Sequence, residues 1–213
     1  MRYFLILSLT CCGCAGQSVT IGILGGGRLT SDVTSDLLPA PTPESKRYVV
    51  GPSVDLSLPG SFAIEVDALY RRQGYQALLN LGSPEQNTVT NERERANSWE
   101  FPILLKYKLP APVIKPFVEG GVAPRRITGT IAASIESFSP VTSPFTTFTS
   151  TNFARNSAGV VVGGGVQISL GRLRILPEAR YTHWASAPAN GFAEVSTSQQ
   201  QVDLAIGIGW KLR

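Results

Sequence analysis

Between residues 99 and 108 the chain alternates with a period of two. Trp99, Phe101, Ile103, Leu105 and Tyr107 hold one parity, and Glu100, Pro102, Leu104, Lys106 and Lys108 hold the other. Successive side chains on a strand point to opposite faces, so this segment is a strand whose two faces meet different surroundings. The same alternation recurs through Val50, Pro52, Val54 and Leu56, and through Phe62, Ile64, Val66, Ala68 and Tyr70. It returns in Val160, Val162, Val166 and Ile168, and in Val202, Leu204, Ile206, Ile208 and Trp210. Short turns at Pro59-Gly60-Ser61, Leu109 to Lys115 and Gly171-Arg172 join strands in pairs, and long polar segments separate the pairs. That short–long rhythm over roughly eight strands predicts an all-β chain, an eight-stranded antiparallel up-and-down transmembrane β-barrel.

The expected strands run from Ser18 to Arg28, Tyr48 to Leu58, Phe62 to Gln73, Ser98 to Lys108, Pro116 to Thr130, Ala158 to Leu170, Leu173 to Trp184 and Gln201 to Leu212. Four long loops are expected between them. The second contains Gly82-Ser83-Pro84 and the charged run Asn91 to Arg95, the third spans Ser134 to Ser157, and the fourth contains Pro188 and Asn190-Gly191. With both termini on the periplasmic side, the short turns are periplasmic and the long loops extracellular.

The two parities separate by charge. Hydrocarbon excludes a basic side chain at a cost of ~2–4 kcal/mol at the bilayer midplane. The apolar parity is therefore expected to face lipid. The other carries Glu65, Asp67, Arg71, Glu100, Lys106, Glu119, Arg125, Glu178, Arg180 and Asp203, with Asp55, Arg174 and Lys211. These are expected to point into the lumen and form a network of alternating sign. Gly25-Gly26-Gly27 and Gly163-Gly164-Gly165 are expected to leave room for the long chains opposite. Aromatic residues fall at strand ends: Phe62, Tyr107 and Trp210 at the turn ends, and Tyr48, Tyr70, Trp99 and Tyr181 at the loop ends. They predict two aromatic girdles at the two membrane interfaces.

The amino terminus has a different character. Arg2, the apolar run Tyr3 to Leu9 and the small residues Cys14-Ala15-Gly16 have the pattern of a secretory signal peptide. Residues 1–16 are expected to be removed and residues 17–213 to form the barrel domain. Cys11, Cys12 and Cys14 would leave with the signal; the alternative is a lipidated cysteine, for which Cys11 stands where an aliphatic residue is usual. The net charge of +4 becomes +3 without Arg2 and is spread along the chain, so no basic block supports nucleic-acid binding.

Two segments carry a family resemblance, Lys115-Pro116-Phe117-Val118-Glu119-Gly120-Gly121 and Pro177-Glu178-Ala179-Arg180-Tyr181. With the strand pattern they resemble the small outer-membrane β-barrel proteins of Gram-negative bacteria, the OmpA-like and OmpX-like eight-stranded barrels. The last strand, closing at Trp210 and Leu212, is similar to the signal read by the barrel-assembly machinery, although it ends in Arg213 rather than an aromatic residue. The resemblance implies residence in the cell outer membrane, contact with outer-membrane lipid and lipopolysaccharide, and insertion by that machinery.

Chemical motifs are sparse. Ile21-Gly22-Ile23-Leu24-Gly25-Gly26-Gly27 has the glycines of a nucleotide loop but no helical pattern after it. His183 is the only histidine, so a histidine cluster for metal is excluded. His183 and Ser186 are similar to the pair of outer-membrane lipid A deacylases, yet three positions apart they fall on opposite faces of a strand, and His183 and Trp184 are expected instead as interfacial residues near the outer rim. Glu65, Asp67, Glu119 and Glu178 could serve as paired acids, but basic chains on the same parity make a structural network the simpler reading. No enzyme activity, metal or cofactor is expected. An eight-stranded lumen is just wide enough for side chains to fill. The expected function is thus a structural or surface-interaction role through the extracellular loops, with a surface ligand as partner there. The alternatives are a narrow pore or small-ligand transport through the lumen, and a lipid-modifying enzyme.

Overall fold

The computed structural model describes residues 18–31, 33–34, 42–83, 86–138, 145–185, 189–190 and 195–212. The signal segment, the cysteines and Ser186 lie outside the described residues. All regular structure is strand: β1 (Ser18–Arg28), β2 (Val33–Thr34), β3 (Thr42–Pro43), β4 (Tyr48–Ser57), β5 (Phe62–Asp67), β6 (Leu69–Ser83) and β7 (Gln86–Glu100). There follow β8 (Ile103–Lys108), β9 (Ile114–Phe138), β10 (Phe145–Leu170), β11 (Leu173–Trp184), β12 (Ala189–Asn190), β13 (Val195–Thr197) and β14 (Gln200–Lys211).

Eight wall strands close into a ring. Neighbours in sequence pair antiparallel, and the ring is completed by β1 on β14, from Thr20↔Lys211 to Arg28↔Asp203. β5 with β6 is one wall strand interrupted at Ala68, and β7 with β8 is another interrupted at Phe101-Pro102. The interruptions have a chemical cause, since proline has no N–H for the ladder. Carbonyls of Pro52, Pro102 and Pro124 instead accept from the N–H groups of Ala68, Asp67 and Phe101, at 3.0, 3.1 and 2.8 Å. The wall thus bends without leaving those donors unpaired.

The alternation seen in the sequence is realised as an inside-out barrel. Leu105 is 51% exposed on the outer face, whereas Lys106, next to it, is wholly buried inside. Ile21, Ile23, Val54, Val66, Val118, Val160 and Ile208 continue the exposed apolar belt around the ring. A water-soluble barrel would reverse this distribution.

Two of the expected loops are strands. β6 and β7 pair as far as Ser83↔Gln86, so Asn91 to Arg95 lies in a ladder. β9 and β10 pair as far as Phe145↔Ser137, which places most of residues 134–157 in strand as well. β7 also pairs with β9 up to Asn87↔Phe138. β6, β7, β9 and β10 therefore rise beyond the ring as one four-stranded sheet. β9 and β10 have 25 and 26 residues, more than twice the ~9–11 that cross a bilayer. Beyond lipid the outer face has no need of apolar side chains, so the alternation fades while the backbone ladder continues. Thr146-Thr147-Phe148-Thr149 reads as polar loop by composition, yet Thr and Phe are strand formers.

The tight turns show which residues they require. In Gly171-Arg172, flanked by the pair Leu170↔Leu173, only Gly171 has positive φ, at 63°, as the first position of a II′ hairpin demands. At the other tight turn Gly60 has φ 74° and Ser61 has φ 71°. A side chain in that region costs roughly 1–2 kcal/mol, partly offset by the greater unfolded freedom of glycine. Ser61→Gly is expected to raise the urea midpoint of refolded protein by an amount equivalent to about 1 kcal/mol. A midpoint at or below that of the parent would show that the turn holds no such strain.

Candidate functional site

The lumen is filled by two layers of charge whose members come from nearly every wall strand. In the deeper layer Lys106 of β8 sits among three carboxylates. Its Nζ lies 2.7 Å from Glu65, 3.1 Å from Glu119 and 3.3 Å from Glu178. Arg180 of β11 spans the same layer, donating to Glu65 at 2.5 Å, Asp67 at 2.6 Å and Glu119 at 2.9 Å, with Glu178 at 2.6 Å. The bonds of Arg180 to Glu119, Asp67 and Glu65 join residues 61, 113 and 115 positions apart, so only a closed ring assembles them. Carboxylate oxygens of Glu65, Glu119 and Glu178 approach within 4.8 Å of one another, close enough to hold a cation. The Lys106 ammonium occupies the space among them.

The second layer lies toward the extended sheet. Arg71 approaches Glu100 and Asp203 at 3.4 Å, and Arg28 approaches the same two carboxylates at 3.7 and 3.6 Å. Gln201 donates to Glu100 at 3.3 Å and to Asp203, and accepts at 2.8 Å from the indole N–H of Trp184. The Arg125 guanidinium lies 3.8 Å above the Trp184 ring and donates to Ser157. Trp184 is wholly buried. The structure therefore brings Glu65, Asp67, Lys106, Glu119, Glu178 and Arg180 together in one layer, and Arg71, Glu100, Arg125 and Asp203 in the other.

Three inward positions differ from the sequence reading. Trp184, expected at the interface with His183, points into the lumen; only His183 is exposed on the outer face. Trp184 is four positions from Arg180, and the strand period puts the two on one face. Arg28 and Gln201 also belong to the upper layer. Their signals were the parity of Leu24 and Gly26 for Arg28, and that of Asp203 for Gln201. Arg174 does not join the network, because it turns back to the carbonyls of Gly171 and Leu173 at 2.7 and 3.1 Å. Asp55 makes a separate pair with Lys108 at 2.7 Å near the turn end.

Glycine makes room for these chains at particular points. A Cβ on Gly163 would stand 2.7 Å from Glu119 Oε1, and one on Gly165 2.9 Å from the Glu178 Cβ. Gly26 instead admits the close approach of Ala205, whose Cβ would be 2.8 Å from an added methyl. Below the deeper layer a cavity of about 20 Å³, lined by Gly22, Gly207 and Gly209 among others, has room for about one water. Above both layers Tyr75 donates to Glu92 at 2.6 Å. Burial first, and that carboxylate second, push its phenol well above the ordinary range.

On the outside, the aromatic residues form contacting groups at two heights. Phe62 meets Tyr107 at 5.1 Å between ring centroids at the turn end. Tyr70 meets Trp99 at 5.2 Å, and Trp99 meets Phe101 at 6.4 Å, toward the sheet. Tyr48 and Tyr181 are exposed on the outer face toward the sheet end, and Trp210 is exposed at the turn end.

No family model and no curated protein matches the sequence. Among solved structures, the chain is similar to the N-terminal β-barrel domain of Pseudomonas aeruginosa OprF, with 10% identity over 92% of this chain and 97% of that one, at a TM-score of 0.48. Neisserial surface protein A shares 13% identity over 94% and 99% of the two chains, with a TM-score of 0.43. The attachment invasion locus protein Ail of Yersinia pestis, solved with the heparin analogue sucrose octasulfate, shares 12% over 92% and 97%, with a TM-score of 0.36. With such low identities, the fold assignment rests on this chain's own closed ring, apolar belt and charged interior. The chain is an eight-stranded antiparallel β-barrel of the outer-membrane type.

Proposed function

We propose that this protein is a closed outer-membrane barrel that acts as a surface-interaction module, presenting its four-stranded sheet outside the cell. One observation carries the reading: ion-paired layers fill the lumen, while β6, β7, β9 and β10 continue far beyond the aromatic belt. A wall built for transport would not need 25-residue strands, and a lumen built for transport would not be bridged twice. The outer membrane is supported by the exposed apolar belt, which has no role in water. The short turns at its opposite end support an extracellular position for the extended sheet.

The test shortens both hairpins. Leu78 to Asn91 and Ser134 to Phe148 are each replaced by Asn-Gly, joining positions that already face one another across the ladders, Ala77↔Glu92 and Ala133↔Thr149. The shortened chain is expected to keep its heat-modifiable migration on unboiled gels, since both charge layers lie below the cuts. Adhesion of cells displaying it, to an epithelial layer and to a lawn of the same cells, is expected to fall to that of cells without the protein. Adhesion unchanged by shortening would overturn the reading.

A further inference from the structure

The outer surface of the barrel is apolar up to the aromatic belt and then, on one side only, abruptly basic. Arg126 is exposed beside Trp99, its partner in the β7–β9 ladder. Arg72 is two residues beyond Tyr70 on β6, and Arg95 is four residues beyond Trp99 on β7 in the same direction. At ~3.4 Å per residue these side chains leave the wall within roughly 14 Å of the belt, less when strand tilt is allowed for. A hydrocarbon core of ~30 Å within a bilayer of ~40–45 Å leaves a headgroup layer of about 5–8 Å on each side, so Arg126 and Arg72 leave the wall within it and Arg95 just above it, within the reach of a long arginine side chain.

The chain between β3 and β4 adds to the group. Glu44 N–H donates to the Gly74 carbonyl at 2.8 Å and Lys46 N–H to the Arg72 carbonyl at 3.1 Å, so residues 44–46 run along the edge of β6. Ser45 fastens the same edge through Gly74. This brings Lys46 beside Arg72, Arg93 and Arg95 around a depression of about 340 Å³. Arg93 is neutralised there by Glu44, in a two-pronged pair at 2.7 Å. Among the described residues, no carboxylate pairs with Arg72, Arg95, Arg126 or Lys46.

The opposite side of the barrel provides the contrast. At comparable height the outward residues of β10, β11 and β14 are Ala154, Asn156, Ala158, His183, Gln200 and Val202, with no lysine or arginine. A general preference for basic residues at an interface would ring the barrel. A cluster confined to β6, β7 and β9, standing on the contacting rings of Tyr70, Trp99 and Phe101, instead marks a site.

We propose that Arg72, Arg95, Arg126 and Lys46 hold the phosphates of a phosphorylated glycolipid of the outer leaflet. Arginine matches phosphate with two parallel N–H donors. The aromatic group below accommodates the sugar–acyl boundary, and Val66, Ile103 and Val122 face the chains. The inference rests on the membrane orientation given above, but not on any role in adhesion. A phosphate-recognition assay in micelles reads it separately from the adhesion test.

The experiment is native mass spectrometry of the full refolded protein in micelles, titrated with bisphosphorylated lipid A or with the same lipid after phosphate removal. The parent is expected to retain the bisphosphorylated form with about tenfold preference, and Arg72→Gln/Arg95→Gln/Arg126→Gln to lose about that factor. Lys115→Gln/Arg172→Gln, at the opposite end of the barrel, is expected to bind as the parent does. Folding of each variant is checked by heat-modifiable migration. Should the triple variant not fold, the single variants replace it, each expected to bind about twofold more weakly. Equal binding by parent and triple variant would overturn the proposal, as would equal retention of the phosphate-free lipid. Displacement of the lipid by a soluble heparin fragment at similar concentration would also overturn it, showing a surface for polyanions rather than for lipid.

Discussion

Arg180→Ala is expected to lower the stability of the barrel by about 3–5 kcal/mol, the usual result of removing one partner from a buried ion pair. Arg180 contacts Glu65, Asp67, Glu119 and Glu178, and all four are buried. Without it, Lys106 is, among the described residues, the only cation paired with three of them, and Asp67 has lost its salt-bridge partner. Either protons or water must then enter a space closed by side chains, and both carry a cost. The loss should be seen as a lower urea midpoint in tryptophan fluorescence of protein in lipid vesicles. Rescue distinguishes charge from packing. Arg180→Met/Glu65→Gln/Asp67→Asn removes the orphaned charges while keeping volume, and is expected to recover most of the loss. An unchanged midpoint for Arg180→Ala would mean that this layer is not ion-paired in the membrane. If the triple variant is no more stable than Arg180→Ala, the network cannot be the cause.

The wall was legible where two solvents meet it. From Phe62 to Asp67 and from Trp99 to Lys108 the outward residues are apolar and every charged residue is on the inward parity, because lipid outside and charge inside impose opposite chemistry on neighbouring positions. Wherever that contrast ends, so does the signal. Asn91 to Arg95 and Thr146 to Thr151 have polar residues on both faces, and nothing in their composition separates a solvated strand from a loop. Their pairing is fixed by backbone ladders continuing from below, which a residue pattern does not encode. Trp184 failed for another reason: an aromatic residue near a strand end suits either an interface or a lumen. Only its parity with Arg180 and Thr182 decides, and its bond to Gln201 depends on how β11 registers with β14. The basic patch was obscured in the same way. Arg72, Arg95 and Arg126 are far apart in sequence, and adjacency across β6, β7 and β9 is what makes them a cluster.

Conductance provides the second large effect, and the layered lumen predicts its pattern. The parent is expected to give no steady single-channel current in planar bilayers. Trp184→Ala is also expected to be silent. It opens space beneath Arg125 and Gln201, but leaves Lys106 and Arg180 bridging β5, β8, β9 and β11 below. Removing the deeper layer alone should be silent as well, since the Trp184 indole, under Arg125 and bonded to Gln201, still blocks the lumen above. Two blocks in series conduct only when both are gone. The informative variant therefore combines Trp184→Ala with Glu65→Ala, Asp67→Ala, Lys106→Ala and Arg180→Ala. It deletes two cations and two carboxylates from the deeper layer and leaves Glu119 and Glu178 facing the new water path. Acidic side chains lining a hydrated path attract cations and repel anions, so the pore should pass cations in preference to anions. Its reversal potential in a salt gradient should carry the sign of cation selectivity. Current from Trp184→Ala alone would show that the deeper layer is no barrier, and steady current from the parent would return the function to the lumen.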